Sequence, residues 1–591
     1  MLTRVLGLGV VGVASALLML TANVEKALVA GTRPEDRYDA VIIGAGWAGI
    51  NAARELKASG VSMIILEAND YIGGRSKSIN SDGTLNAPPA ELPSNNVPMD
   101  MGSEYLYTAN ELKNYLRRNG FLENIDLDDA EDSPPHVLSG DRSIGYFRQE
   151  RYIDGTTRTI GLIPNDLRSM YSAMWRPFVE YIQELYQSEG EMSYADALER
   201  YTAARQISNT DRQYLNLMLD AGLEIEYGGE SGRMSIWYHD LGAILNNDSP
   251  IHLMSKIGVG YGNTAAAVAE SNDLPIQLNS KVTRHEGEVA TVRAKVVSVT
   301  VSLGVLKSNI IEFTPDLPAQ KKDAIENMEV GIFNKCAMTW NDRGALVWPE
   351  EQLAFELITP TDETSGRWTT FNNPTLYKGG KPTLVGWIAG DEAVRMESQS
   401  DEEVLDEVMV NLEAMFPDIT RPDEVHITRW GSDPSFMGSY AHMAIGRDHE
   451  QDAMNLGARV GRISFAGEAT DATWYGTTVG PWKSGGRVAE EMMAILAVEV
   501  PTPSPSFSPT ELNTGTPSKS PTVSLSEAPS MTPSDVDVNE NVVEPVNEVL
   551  VSNDPVETNL PAPEQADTDG ENSSTAISVS ILVFLIIAFI N

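Results

Sequence analysis

An α/β fold with two domains is predicted by three observations. The stretch "YDAVIIGAGWAGINAARELKASGVSMIILEA" runs from an apolar strand through a glycine turn and an amphipathic helix to a second apolar strand, the size of one βαβ unit. A Gly-x-Gly-x-x-Gly spacing sits between that strand and that helix. From Tyr38 to about Val498 extended and helical patterns alternate without an internal repeat. Together they predict a Rossmann-like dinucleotide-binding domain joined to a second, mixed α+β domain.

Composition supports a folded body with extensions at both ends. With 591 residues, 42% of them hydrophobic, the chain can build more than one large core. The formal charge is -41, and residues 501–591, with 13 Asp/Glu against the single Lys519, carry -12 of it, which leaves -29 for the rest. Phosphate backbones are repelled by such a chain, which argues against nucleic acid as a partner. Cys336 is the only cysteine, so core packing and not disulfides must stabilise the fold.

Residues 1–30, with Arg4 ahead of a short apolar run rich in small residues, are expected to be a secretory signal peptide. Residues 501–575 are rich in Pro, Ser and Thr and then acidic, the composition of a disordered stalk. Small residues Asn572, Ser573 and Ser574 precede the apolar run of 576–591, an arrangement that fits a GPI-anchor signal, with a single C-terminal transmembrane helix as the alternative. The expected location is therefore the secretory pathway and the cell surface, with membrane attachment through this anchor.

Gly44, Gly46 and Gly49 permit a tight turn and a close approach of backbone to a pyrophosphate at the helix N-terminus. Glu67, 23 residues after Gly44, ends the second strand, where a carboxylate can bond ribose hydroxyls. Residues 160–228 read as mostly helical, and "SDEEVLDEVMVNLEAMF" reads as a helix with an acidic first turn. "RISFAGE" is a short strand ending in Gly467 and Glu468, and "GTTVGPWKSGGRVAEEMMAIL" opens a helix whose first N–H groups are unpaired.

In the strand "FNKCAMTW" Phe333, Lys335, Ala337 and Thr339 share one face, and Asn334, Cys336, Met338 and Trp340 the other. Lys335 and Cys336 therefore cannot meet one ligand together. A lysine in so apolar a strand is either a functional group with hydrogen-bonded support or an edge-strand residue at the surface. Seven scattered histidines and the lack of a Gly-x-Ser-x-Gly turn argue against a metal site and against a serine nucleophile.

"EANDYIGGRS", "MDMGSEYLY", "VSLGVLKSNIIEFTPDLP" and "ISFAGEATDATWYGTTVGPWKSGGRVAEE" resemble the corresponding segments of the flavin-containing amine oxidases, the group of monoamine, polyamine and L-amino-acid oxidases. The resemblance runs along nearly all of residues 38–497. It implies a two-domain flavoprotein in which FAD-binding segments 31–105, 251–320 and 428–500 alternate with a helical substrate-domain segment, 106–250, and a substrate-domain sheet and helix, 321–427. It implies FAD contacts at Gly44, Gly46 and Gly49, with Glu67 on the adenosine ribose, Gly74 and Arg75 near the pyrophosphate, and Val282 on the adenine side. Gly102 and Ser103 form the flavin-edge loop, Trp430, Gly467 and Glu468 continue the cofactor site, and the Thr478 amide faces the flavin N1 region. Lys335 takes the place of a lysine that holds a water near flavin N5. Tyr440 takes that of an aromatic residue lining the amine's approach, and Thr477 and Glu104 fall on the substrate side.

This sequence departs from the family's pattern at three places. Ser439 stands where covalent members carry a flavin-bound cysteine, which implies non-covalent FAD. Thr477 stands where several members have a second tyrosine. The stretch from Val282 to Ser302 is shorter than in the family by the length of a hairpin. The reaction implied is hydride transfer from the carbon next to an amine nitrogen to flavin N5, hydrolysis of the imine, and reoxidation by dioxygen with release of hydrogen peroxide. Polyamines are the first expectation for the substrate, since an acidic body concentrates cations. An L-amino-acid oxidase, or a surface display protein with an inactive flavin domain, are the alternatives.

Overall fold

The structure, a computed structural model, describes residues 37–88, 91–92, 96–106, 110–121, 145–151, 157–160, 175–236, 251–252, 260–282, 292–359 and 366–499. The expected signal, stalk and anchor lie outside these residues, as do residues 283–291 of the shortened stretch after Val282. Among the described residues no helix is long and apolar enough to cross a membrane.

In chain order, β1 (Arg37–Ile43), α1 (Trp47–Ala58) and β2 (Met63–Leu66) form the opening βαβ unit. Further along, after three two-residue strands and the helix Glu111–Arg118, come β3 (Gly145–Arg151), β4 (Thr157–Ile160), α2 (Arg176–Glu189), α3 (Tyr194–Arg205) and α4 (Asn209–Leu217), the last continuing as a π-helix over Met218–Glu224. They are followed by α5 (Tyr261–Ser271), β5 (Ile276–Gln277), β6 (Arg293–Val299) and β7 (Phe333–Thr339). Then come β8 (Ala354–Ile358), β9 (Thr370–Asn372), β10 (Thr383–Ala389), α6 (Asp401–Met415), β11 (Glu424–Ile427), β12 (Ile463–Phe465) and α7 (Val479–Glu499).

The first sheet has five parallel strands in the order β12-β6-β1-β2-β5. Every residue of β2 is buried, as expected of a parallel strand covered on both faces. On one face Ala48, Ala52 and Leu56 of α1 and Val488 and Met492 of α7 pack around Ile42 and Ile65. Gly44 has φ +104, and a Cβ at Gly49 would lie 2.0 Å from the Gly44 carbonyl oxygen, so both positions need glycine for α1 to start against the turn.

The second sheet has seven strands in the order β11-β7-β10-β9-β8-β3-β4, antiparallel except where β8 runs parallel to β3. Two of these strands, β3 and β4, come from residues 106–250, which the resemblance implies to be a helical segment. "GYFRQER" and "TRTI" lack a sustained alternation of apolar and polar residues, so pairing specifies them where local hydrophobicity does not. The helices of that segment do form, and Phe178, Ile182, Leu198, Tyr201 and Leu215 make their common core. Helix α6 begins at Ser400 with a capping box closed by Glu403. Its Val404, Val408 and Leu412 cover the sheet face that carries Cys336 and Met338.

A buried lysine outside both sheets is placed for a pH test. Lys321, on the helix Ala319–Asn327, is 2% exposed, donates to the Leu456 carbonyl and sits 3.8 Å from the centroid of the Phe465 ring. Burial, with Arg487 adding to it, lowers its pKa to about 7. Between that value and the ordinary 10.5 the unfolded chain binds a proton that the folded one does not, so this residue makes stability rise with pH across that window. Urea unfolding of wild type and Lys321→Met at pH 6 to 10 is expected to show the variant's relative stability falling as pH passes 7. A difference independent of pH would contradict the shift.

Candidate functional site

Most of the residues singled out in the sequence meet in one cavity, with a volume of about 260 Å³. Its wall includes Gly44, Gly46, Glu67, Gly74, Arg75, Gly102, Ser103, Glu104, Val282, Lys335, Trp430, Tyr440, Gly467, Glu468, Thr477 and Thr478. Gly49 is not in the wall; it lies behind the turn, against the Gly44 carbonyl, and its role is packing.

The turn after β1 forms the first part of the wall. Glu67 Oε2 accepts from the Ala45 N–H at 2.7 Å, and Oε1 accepts from Asn69 N and Nδ2 at 2.9 Å each, so the carboxylate is fixed by protein donors at the end of β2. A Cβ added at Gly46 would meet no atom within 4 Å, because that side of the turn faces open space. Gly46 is also the N-cap of α1 and supplies no side chain to its first N–H groups.

Arg75 and Glu468 form an ion pair in the same wall. Arg75 Nη1 lies 3.0 Å from Glu468 Oε1 and 2.7 Å from the Ser439 carbonyl. Glu468 also accepts from Ala441 N at 3.2 Å and Gly476 N at 3.0 Å. Ser439 Oγ accepts from Phe333 N at 2.7 Å and donates to Phe333 O at 3.0 Å, which ties its segment to β7.

Lys335 is not at an edge: β7 is paired on both sides, by β10 and β11, and the lysine is 1% exposed. Its ammonium donates to Gly102 O at 2.8 Å and Asp100 O at 3.1 Å, and Glu104 Oε2 lies 3.4 Å away. These acceptors match the three protons of an ammonium. A water held by Lys335 must therefore share or displace one of them. Glu104, expected on the substrate side, is in this structure the counter-ion of the lysine, and its Oε1 is buried without a hydrogen-bond partner among the described residues.

Cys336 points away, fully buried against α6, and burial pushes its thiol up to about 12, which keeps it protonated and inert. Among the described residues no group of His, Cys, Asp and Glu is arranged to hold a metal ion.

Beside Lys335 the cavity is aromatic. Phe333 and Trp387 pack edge to face with ring centroids 5.8 Å apart, and Tyr440 lies 6.5 Å from Phe333. The Tyr440 hydroxyl donates to the Ile225 carbonyl at 2.6 Å, and burial together with Glu226 and Glu468 raises its pKa, so it stays a neutral phenol. Thr477 lines the cavity, but its hydroxyl donates to Trp474 O at 2.8 Å and accepts from Val479 N at 3.2 Å, so it caps α7 and is not free for substrate. The Thr478 N–H has no partner among the described residues.

Glu226 is the functional candidate that the sequence pattern misses. It follows the π-helix directly, lines the cavity, and has its pKa pushed up to about 8 by burial. It is half-buried, and its open side is part of the cavity wall. The one available signal was a glutamate in the apolar run "GLEIEYG"; its direction depends on the helix that carries it.

These residues fit FAD. Gly46 leaves room for a diphosphate at a helix N-terminus, Glu67 is placed for a ribose, and the unpaired Thr478 amide at the start of α7 suits a flavin edge that becomes negative on reduction. A family model described as flavin containing amine oxidoreductase matches residues 47–493. Polyamine oxidase 4 of Oryza sativa subsp. japonica is 29% identical over 466 residues, covering 76% of this chain and 88% of that protein. Lysine-specific histone demethylase 1 homolog 1 of the same plant is 27% identical over 479 residues, 77% of this chain and 52% of its own length. A solved structure of wild-type putrescine oxidase bound to putrescine shares the fold with a TM-score of 0.55 at 17% identity, covering 78% of this chain and 99% of that one. The chain belongs to the flavin-containing amine oxidoreductase family, and the cofactor that its glycine turn and helix termini fit is FAD.

Proposed function

We propose that this enzyme oxidises a C–N bond of a polyamine, with dioxygen as final acceptor and hydrogen peroxide as product. The observation that carries the reading is Glu226, a carboxyl group held in an aromatic cavity together with the Lys335–Glu104 pair. A polyamine brings a second ammonium to the site, and an ionised Glu226 gives it a partner shielded from water. The rings of Phe333, Trp387 and Tyr440 suit the methylene chain and favour a cation at their faces.

Bound FAD supplies the two-electron acceptor. Lys335 keeps a positive charge on the cavity wall, and Asp100, Gly102 and Glu104 hold it in one position. The neutral Tyr440 phenol orients its ring through the Ile225 carbonyl and takes no proton. An L-amino-acid substrate fits less well: the one arginine among the described lining residues, Arg75, is committed to Glu468 and Ser439.

The same proposal places the enzyme on the cell surface, held by glycolipid. The apolar run of the first 30 residues and the Pro/Ser/Thr stretch after 500 support this. Treatment of intact cells with a phosphatidylinositol-specific phospholipase is expected to release activity; retention until detergent is added would instead indicate a membrane-spanning tail.

Lys335→Met is expected to lower turnover at least tenfold with flavin absorbance retained, while Cys336→Ala changes it little. An essential cysteine and a dispensable lysine would overturn the assignment of faces. Below about pH 8 Glu226 holds a proton in the free enzyme, so affinity for a cationic substrate should rise with pH up to that value and then level off. Glu226→Gln is expected to raise KM for spermidine about tenfold at pH 9 and to lose this dependence, with KM for a monoamine unchanged. Equal effects on both substrates would remove Glu226 from polyamine recognition.

A further inference from the structure

We propose that Tyr261 is a positioning residue for the cofactor: its hydroxyl holds the Thr478 side chain, and thereby keeps the Thr478 amide turned towards the flavin. The inference rests on FAD occupying the cavity and is independent of which amine is oxidised.

Tyr261 opens α5, and its place is set from a distance. Gly260 offers no side chain to cap this helix, so Asp100 Oδ1 accepts from Tyr261 N at 2.9 Å and Ser78 Oγ accepts from Gly262 N at 2.9 Å. Ser78 in turn donates to Asp100 Oδ1 at 2.5 Å. The tyrosine ring is fully buried and meets Trp47 edge to face, with centroids 5.7 Å apart at 88°. A buried phenol needs a hydrogen-bond partner, and this one lies 2.6 Å from Thr478 Oγ1.

Thr478 sits where α7 begins, since its carbonyl accepts the first helical bond from Trp482 N at 3.4 Å. A threonine at such a position ordinarily turns its hydroxyl onto its own helix. Tyr261 withholds that hydroxyl, and Thr477 supplies the cap to Val479 N in its place. The Thr478 peptide is thereby fixed at the cavity wall, its N–H unpartnered among the described residues. Asp100 also receives the Lys335 ammonium on its main-chain carbonyl at 3.1 Å. One residue thus anchors both the lysine and, through Tyr261, the amide.

A helix terminus with a free amide favours the negative charge that flavin gains on reduction. Releasing the Thr478 peptide should weaken that preference. The readout is the midpoint potential of bound flavin, measured against reference dyes without substrate. Tyr261→Phe keeps the ring and is expected to disfavour reduction about tenfold, a shift of about 30 mV to more negative potential. Thr478→Val should give the same shift, Thr478→Ser should retain the wild-type potential, and the Tyr261→Phe/Thr478→Val double variant should go no further than either single one. A folded, FAD-loaded Tyr261→Phe protein with wild-type potential overturns the proposal, as does an additive double variant. If Tyr261→Phe fails to hold FAD, Thr478→Val decides alone, and an unchanged potential overturns the proposal. Wild-type protein that binds no flavin would sink the FAD reading itself.

Discussion

The buried Lys335 ammonium organises what surrounds it. Lys335 belongs to the seven-stranded sheet, yet Asp100, Gly102 and Glu104, which satisfy it, lie at the short strand Met99–Asp100 and in the loop after it, beyond the opening βαβ unit. A charge taken out of water is tolerated only where protein acceptors surround it. The loop must therefore sit against β7, and once it does the cavity acquires its wall. Glu104 can serve as counter-ion because Lys335 needs a third acceptor, which explains a carboxylate so close to the expected flavin edge.

A second charged group does the same at the other junction. Glu468, at the end of β12, gathers the Arg75 guanidinium and the amides of Ala441 and Gly476. Segments distant in sequence are thus joined by acceptors that each take more than one donor, and the resulting hydrogen bonds are charge-assisted. Ser439 adds a neutral link to Phe333 next to Lys335. A serine can bridge two strands here because its hydroxyl both gives and receives; the thiol of a cysteine would do so weakly.

The electrostatics of the cavity divide by neighbours. Lys335 is surrounded by acceptors, whereas Glu226 has its carboxyl raised by burial. Tyr440 is held neutral next to it. The cavity thus sets the Lys335 ammonium and the Arg75–Glu468 pair beside an acid that ionises when a cation arrives, a combination suited to a ligand with an amine to oxidise and another to bind.

The βαβ unit, the Gly44–Gly49 turn, Glu67 and the two faces of "FNKCAMTW" were legible in the sequence because each rests on local rules: period-2 or period-3.6 patterning, glycine at positive φ, and a carboxylate at a strand end. The acidic start of α6 was legible for the same reason, since a capping box spans four adjacent residues. The strands β3 and β4 were not, because β3 is placed by pairing with β8, far along the chain, and β4 by pairing with β3. Nor were the partnership of Glu104 with Lys335, the aim of Glu226 into the cavity, or the bond from Tyr261 to Thr478, which joins residues 217 positions apart. A residue's type and its face on a strand follow from neighbours a few positions away. Which buried charge meets which acceptor is settled when distant segments close together, as each desolvated group takes the nearest partner that the packed chain offers it.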